Sequence, residues 1–214
     1  MTIAQKIGSI RATLPKEVTL VCVSKFHPVE AIEEAYNAGE RDFGESRVQE
    51  LCAKYEALPK DIRWHFIGHL QTNKVRQIVP FVHLIQSVDS ERLLNVIESE
   101  AAKINHVVKV LLEVHTAHEE TKSGFSIEEL IQVWPTIGKY QHIDICGLMT
   151  MATNTDDEAE IHRCFRALSA ISSQLFGDRG EVLSMGMSDD YALAIADGSN
   201  MVRIGSSIFG KRVY

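Results

Sequence analysis

No stretch of this chain approaches the roughly 20 consecutive apolar residues that a bilayer-crossing helix needs, so no membrane contact is expected. No secretion signal is expected either. Lys6 and Arg11 sit among Ile3, Ile7, Ile10 and Leu14, which makes an amphipathic stripe and not an unbroken apolar core. Cysteine is sparse and unpaired in pattern: Cys22, Cys52, Cys146 and Cys164 include no C-x-x-C, and two of them lie in apolar strand-like runs where a reduced thiol packs as a small hydrophobe. That usage fits a reducing compartment, and a cytoplasmic location is expected. The chain also lacks a surplus of basic residues. A net charge of −7 argues against nucleic acid as a partner, which would require a basic face. Proline, glycine and serine never cluster into a linker, so residues 1–214 are expected to form one domain. Hydrophobic content of 45% and charged content of 24% are ordinary for a globular protein, and the expected partner is a small molecule.

Strand-like and helix-like patterns alternate from end to end. Strands are predicted at residues 18–24, 41–43, 63–67, 82–86, 107–114, 143–149, 182–185 and 201–204. Helical stripes fall between them, for example over 29–38, with Gly39 in the position of a left-handed C-cap. Ser126 and Glu129 have capping-box spacing, and Pro135 should end or kink the helix that follows. Strands separated by helical crossovers pair in parallel. Eight such units in little over two hundred residues predict an α/β fold: a closed (β/α)₈ TIM barrel near the small end of its size range. A doubly wound open sheet is the alternative, but no G-x-G-x-x-G follows the first strand. Only nine residues follow Gly205, too few for a full closing helix, so the N-terminal helix is predicted to fill that gap in the outer ring.

Lys25 ends the apolar run that begins at Val18. A desolvated amine at the end of a buried strand is available as a nucleophile toward an aldehyde or ketone, as a Schiff base requires. A lysine that snorkels into water is the competing explanation. In a barrel, Lys25 falls on the C-terminal rim, where such folds keep their chemistry. The segments 183–189 and 202–210 each run from a short strand into small residues. Gly186 and Gly205 permit close backbone approach, and Ser184, Ser206 and Ser207 add hydroxyls, a composition suited to a phosphate. Each segment alone could equally be a tight strand-to-helix turn. Arg203 lies in the apolar strand before Gly205 and must be paired internally or reach a polar ligand. His65 and His69, and His115 with His118 and Glu119, have spacings compatible with a metal. The first pair spans a turn instead of one helical face, and no metal is expected. Lys74 and Lys122 follow strands and are expected as solvated loop lysines, with a guiding role toward phosphate as the alternative.

Several longer motifs occur in order: Val23-Ser-Lys25, Phe43-Gly-Glu45, Trp64-His-Phe-Ile-Gly-His-Leu-Gln-Thr-Asn-Lys74, Lys122-Ser-Gly124, Gly147-Leu-Met149, Ser184-Met-Gly-Met-Ser188 and Val202-Arg-Ile-Gly205. Through these the chain resembles, over nearly its whole length, the pyridoxal phosphate homeostasis proteins, also described as proline synthetase co-transcribed homologues. The resemblance implies an alanine racemase N-terminal-domain-like barrel that binds pyridoxal 5′-phosphate (PLP), with Lys25 as the Schiff-base lysine and Arg203 facing the pyridine nitrogen. Ser184, Gly186, Gly205 and Ser206 are then expected around the phosphate, with Ser46 and Met185 as further cofactor contacts; His69, from its place near the rim, is expected to help frame the cofactor. Two positions depart from the family pattern: Ser46 stands where asparagine is usual and Arg47 where an aromatic is common. Ser206 replaces a frequent threonine and keeps the hydroxyl.

PLP acts as an electron sink most strongly when its ring nitrogen is protonated, and an arginine there works against protonation. Barrel racemases tolerate such an arginine but take a second acid-base group from a C-terminal β domain. This chain ends at Tyr214, and neither Tyr191 nor Tyr214 has an evident route to the second face. The expected function is therefore intracellular PLP homeostasis: a monomeric buffer and carrier with transient contact to apo PLP enzymes and no turnover of its own. An amino-acid racemase and a Schiff-base aldolase acting on a sugar phosphate are the alternatives.

Overall fold

A computed structural model describes residues 1–117, 123–177 and 181–210. Eight strands are present: β1 (Thr19–Val23), β2 (Asp42–Glu45), β3 (Arg63–Phe66), β4 (Leu84–Val88), β5 (Val108–Glu113), β6 (Ile143–Met149), β7 (Val182–Ser184) and β8 (Met201–Ile204). All neighbours pair in parallel, and β1 pairs with both β2 and β8, which closes the sheet into a barrel. The register sets Leu20 opposite Val202 and Val21 opposite Arg203. Successive side chains point to opposite faces. Leu20 and Cys22 therefore join the large apolar layer between sheet and helices, while Val21 joins Leu84, Leu111, Met149 and Met201 in a small cluster inside the barrel.

The helices are α1 (Ile3–Arg11), α2 (Val29–Asn37), α3 (Val48–Ala57), α4 (Val75–Ile78), α5 (Glu91–Lys103), α6 (Ile127–Val133), α7 (Glu158–Phe176), α8 (Tyr191–Ala196) and α9 (Ser206–Phe209). Their ends follow local chemistry. Thr2 with Gln5 and Ser126 with Glu129 form reciprocal capping boxes, and Gly39 at φ +105° follows the end of α2. Pro135 sits in a 3₁₀ run, Trp134–Lys139, that takes over where α6 stops at Val133. After β8 only the four-residue α9 follows, and α1 packs against both α2 and α9, occupying the outer ring as expected.

Two strands are displaced from their predicted positions. β2 extends through Gly44 and Glu45, which pair with His65 and Phe66. β4 starts at Leu84 because the Val82 amide still donates to Ile78, in the turn that closes α4. Both shifts lengthen the strands toward the rim with polar residues on the helix-facing side, Glu45 on β2 and Ser87 on β4, and both are buried. No helix among the described residues is long and apolar enough to cross a membrane.

Candidate functional site

Lys25 lies two residues beyond the end of β1, half-buried on the C-terminal rim of the barrel. Both of its neighbours are clamped. The Ser24 amide donates to Gly44 at 3.0 Å, its hydroxyl to Glu45 Oε1 at 2.5 Å, and its carbonyl accepts from Lys54 Nζ at 2.9 Å. On the other side the Phe26 amide donates to Glu50 Oε1 at 2.7 Å, with Phe26 held at φ +66°. An aromatic residue in the left-handed region persists only where its surroundings over-determine it. Lys54 ties the two halves of the clamp together, reaching Glu45 Oε1 at 2.8 Å and Glu50 Oε1 at 2.6 Å. The Arg47 guanidinium lies 4.5 Å from the Phe26 ring and covers the turn from outside. Burial raises Glu45 to about 7 against the opposing pull of Lys54 and Ser24, and its second oxygen, Oε2, is buried without a hydrogen bond.

Arg203 projects from β8 into the barrel and is 4% exposed. Nη1 donates to the Ser184 carbonyl at 2.8 Å and the Ser184 hydroxyl at 2.7 Å, and Nη2 donates to the Thr150 carbonyl at 2.9 Å. Every one of these acceptors is neutral. Burial lowers the guanidinium to about 10, offset in part by Glu113 and Asp190, so it stays charged at neutral pH. Glu113, at the end of β5, is itself raised to about 7, by burial first and by Asp89 second.

Lys25 and Arg203 share one cavity of about 600 Å³, which Gly205, Ser206, Ser188 and His27 also line and which Met149, Met151 and Met187 close with apolar surface. The first, middle and last parts of the chain thus converge on one rim. The other predicted site residues stand elsewhere. Ser184 and Met185 are fully buried beneath the cavity, where Ser184 holds Arg203. Gly186 shapes the turn after β7: at φ +94°, a Cβ there would lie 2.6 Å from Ala194 Cβ and 2.9 Å from Tyr191 Cα. Ser46 packs against Gly68, whose own added Cβ would come within 2.4 Å of the Ser46 carbonyl oxygen. His69 is exposed and bonds Asp89 at 3.1 Å. Neither Ser46 nor His69 is among the residues lining the cavity. Tyr191 faces outward to Thr13 at 3.1 Å. His118, Glu119, Lys122 and Tyr214 lie outside the described residues, and no three histidine, cysteine or acidic groups among the described residues could hold a metal.

Sequence reasoning missed Lys54 and Glu50. A signal existed: Val48, Leu51, Lys54 and Leu58 fall at helical spacing, and a lysine within that buried stripe needs a partner.

The class is that of the alanine racemase N-terminal domain, whose family model matches residues 2–213 of this closed parallel barrel. Within that class, the chain belongs to the family of the pyridoxal phosphate homeostasis proteins. It is 40% identical over 202 residues to the protein of that name from Schizosaccharomyces pombe, covering 92% of this chain and 85% of the relative. It is 41% identical over 212 residues to the one from Synechocystis, covering 96% and 97%. PipY of Synechococcus elongatus, solved with PLP bound, superimposes with a TM-score of 0.88 at 36% identity, over 98% of this chain and 100% of that one. An alanine racemase from Clostridium difficile shares the fold alone: its TM-score is 0.78 at 15% identity, and this chain spans 56% of its length.

Proposed function

We propose that this chain holds PLP in the cavity between Lys25 and Arg203 and serves PLP homeostasis by buffering the cofactor and delivering it to apo enzymes. The observation that carries this reading is the shared cavity, where a primary amine, a charged guanidinium and the Gly205-Ser206 turn meet within about 600 Å³. The donor set fits the group. Lys25 supplies the amine that an aldehyde requires, and the clamp on Ser24 and Phe26 fixes where that amine is presented. Gly205 leaves room beside Val23, since a Cβ there would meet the Val23 carbonyl at 3.1 Å, and the Ser206 hydroxyl is exposed at the cavity edge. Backbone amides of a turn entering a helix suit phosphate oxygens.

When bound, PLP supplies an electrophilic carbonyl and, if its ring nitrogen is protonated, an electron sink. Arg203 bears on that second property. Its guanidinium can only donate, so placed at the ring nitrogen it disfavours the protonated form. No tyrosine lines the cavity among the described residues, and Tyr191 is engaged with Thr13. These features support a carrier without substrate turnover. The test is a PLP titration of the purified protein followed by visible absorbance. Wild type is expected to turn yellow and Lys25→Ala to stay colourless, and a colourless wild type contradicts the reading. Incubation of the loaded protein with amino acids in deuterium oxide is expected to leave the α-hydrogens in place; exchange at any of them would make it an enzyme.

A further inference from the structure

Beneath Arg203 the barrel interior carries a line of polar side chains that the cofactor reading leaves unused. The Ser184 hydroxyl on β7 accepts from Arg203 Nη1 at 2.7 Å and donates to Gln86 Oε1 on β4 at 2.6 Å. Gln86 Nε2 lies 2.9 Å from His65 Nδ1 on β3, and His65 Nε2 lies 3.0 Å from Asp42 Oδ1 on β2. Arg63 then grips both Asp42 oxygens from the N-terminal face of the barrel, at 2.7 and 2.6 Å. Ser184, Gln86 and His65 are at most 1% exposed, so water cannot replace the bonds between them.

The direction of every bond follows from the two ends. Arginine only donates, so Ser184 Oγ accepts and its hydrogen passes on to Gln86. Gln86 must then turn its carbonyl oxygen to Ser184 and its amide nitrogen to His65. The same orientation lets Nε2 donate to Met201 Sδ at 3.3 Å, whereas the flipped amide would set an oxygen against that sulfur. His65 Nδ1 is consequently the bare nitrogen, and Nε2–H donates to Asp42. Burial opposes ionisation of Asp42, but bonds from Arg63 and His65 outweigh it and hold the carboxyl well below the usual range, which makes Asp42 a charged acceptor.

We propose that Gln86 and His65 are positioning residues for Arg203: the glutamine amide and the imidazole, anchored on Asp42, hold Ser184 and through it fix the guanidinium at the cavity. No carboxylate lies within ion-pair distance of Arg203 among the described residues, so neutral acceptors alone set its orientation. The proposal rests on the cofactor reading only for its consequence, PLP affinity, and not for its geometry.

The test starts with full-length wild type free of PLP and labelled with nitrogen-15. Near neutral pH, His65 is expected as the Nε2–H tautomer and Arg203 as a slowly rotating guanidinium with separate Nη signals. Gln86→Leu should merge those signals and weaken PLP binding about tenfold, the loss of roughly one buried hydrogen-bond pairing, while the Lys25 chromophore still forms. Gln86→Glu can accept from Ser184 and share a proton with His65, and should restore both readouts. An Nδ1–H tautomer at His65 in wild type, or unchanged Arg203 signals in Gln86→Leu, overturns the proposal. If Gln86→Leu does not fold, Gln86→Glu decides, and merged Arg203 signals in that variant overturn it as well. Failure of the cofactor reading has a different signature: wild type that does not bind PLP but still shows the expected His65 and Arg203 signals.

Discussion

A single lysine on α3 joins two carboxylates beside Lys25, the buried Glu45 and the partly exposed Glu50. Lys54 is 5% exposed and donates to Glu45, to Glu50 and to the Ser24 carbonyl at once. Removing one partner of a buried ion pair leaves an uncompensated charge, typically about 3–5 kcal/mol. Lys54→Met is therefore expected to lose stability of that order at pH 8, measured by urea unfolding of the cofactor-free protein. The loss should shrink toward pH 5, and Glu45 gives the reason. Its folded value of about 7 lies above the ordinary glutamate range, so its contribution to folding is full below that range and is lost as pH rises through about 7. At pH 5 the carboxyl can take a proton and no longer needs the lysine. Equal losses at both values would contradict this assignment.

At the scale of elements, the turn after β1 is braced by α3 in addition to its own bond from the His27 amide to the Ser24 carbonyl. Phe26 at φ +66° costs on the order of 1–3 kcal/mol, and the bond from its amide to Glu50 contributes to offsetting that strain. Glu50→Ala removes the acceptor. The expected result is a relaxed turn: fast hydrogen exchange at the Phe26 amide and PLP affinity lower by about tenfold, equivalent to roughly 1.4 kcal/mol of lost preorganisation. An amide that stays protected in Glu50→Ala would show that the strain is held elsewhere. The turn after β7 behaves differently, because Gly186 adopts its φ of +94° without a side-chain brace.

For the molecule as a whole, the barrel was readable because its evidence is local and repeated: every strand and crossover helix carries its own periodicity, and the bounds of β6 and β8 coincide with those expected. Lys25, Gly205 and Ser206 were readable for the same reason, since strand ends in a barrel share one rim. What sequence could not disclose is pairing across distance. Lys54 meets Ser24 30 positions away, and Ser184 meets Gln86 98 positions away, contacts that exist only once the strands and helices have assembled. Ser46 and His69 show the converse limit. Both follow barrel strands, yet a rim position does not aim a side chain at the cavity: Ser46 is pressed against Gly68, and His69 turns to Asp89.

The central claim is that one amine, Lys25, takes PLP in the cavity it shares with Arg203. Borohydride reduction of the PLP-loaded protein, followed by digestion and peptide mass mapping, tests it most directly. The account predicts a phosphopyridoxyl group on the peptide that contains Lys25 and on no other. A sugar-derived adduct there, or a phosphopyridoxyl group spread over surface lysines and retained in Lys25→Ala, would contradict it.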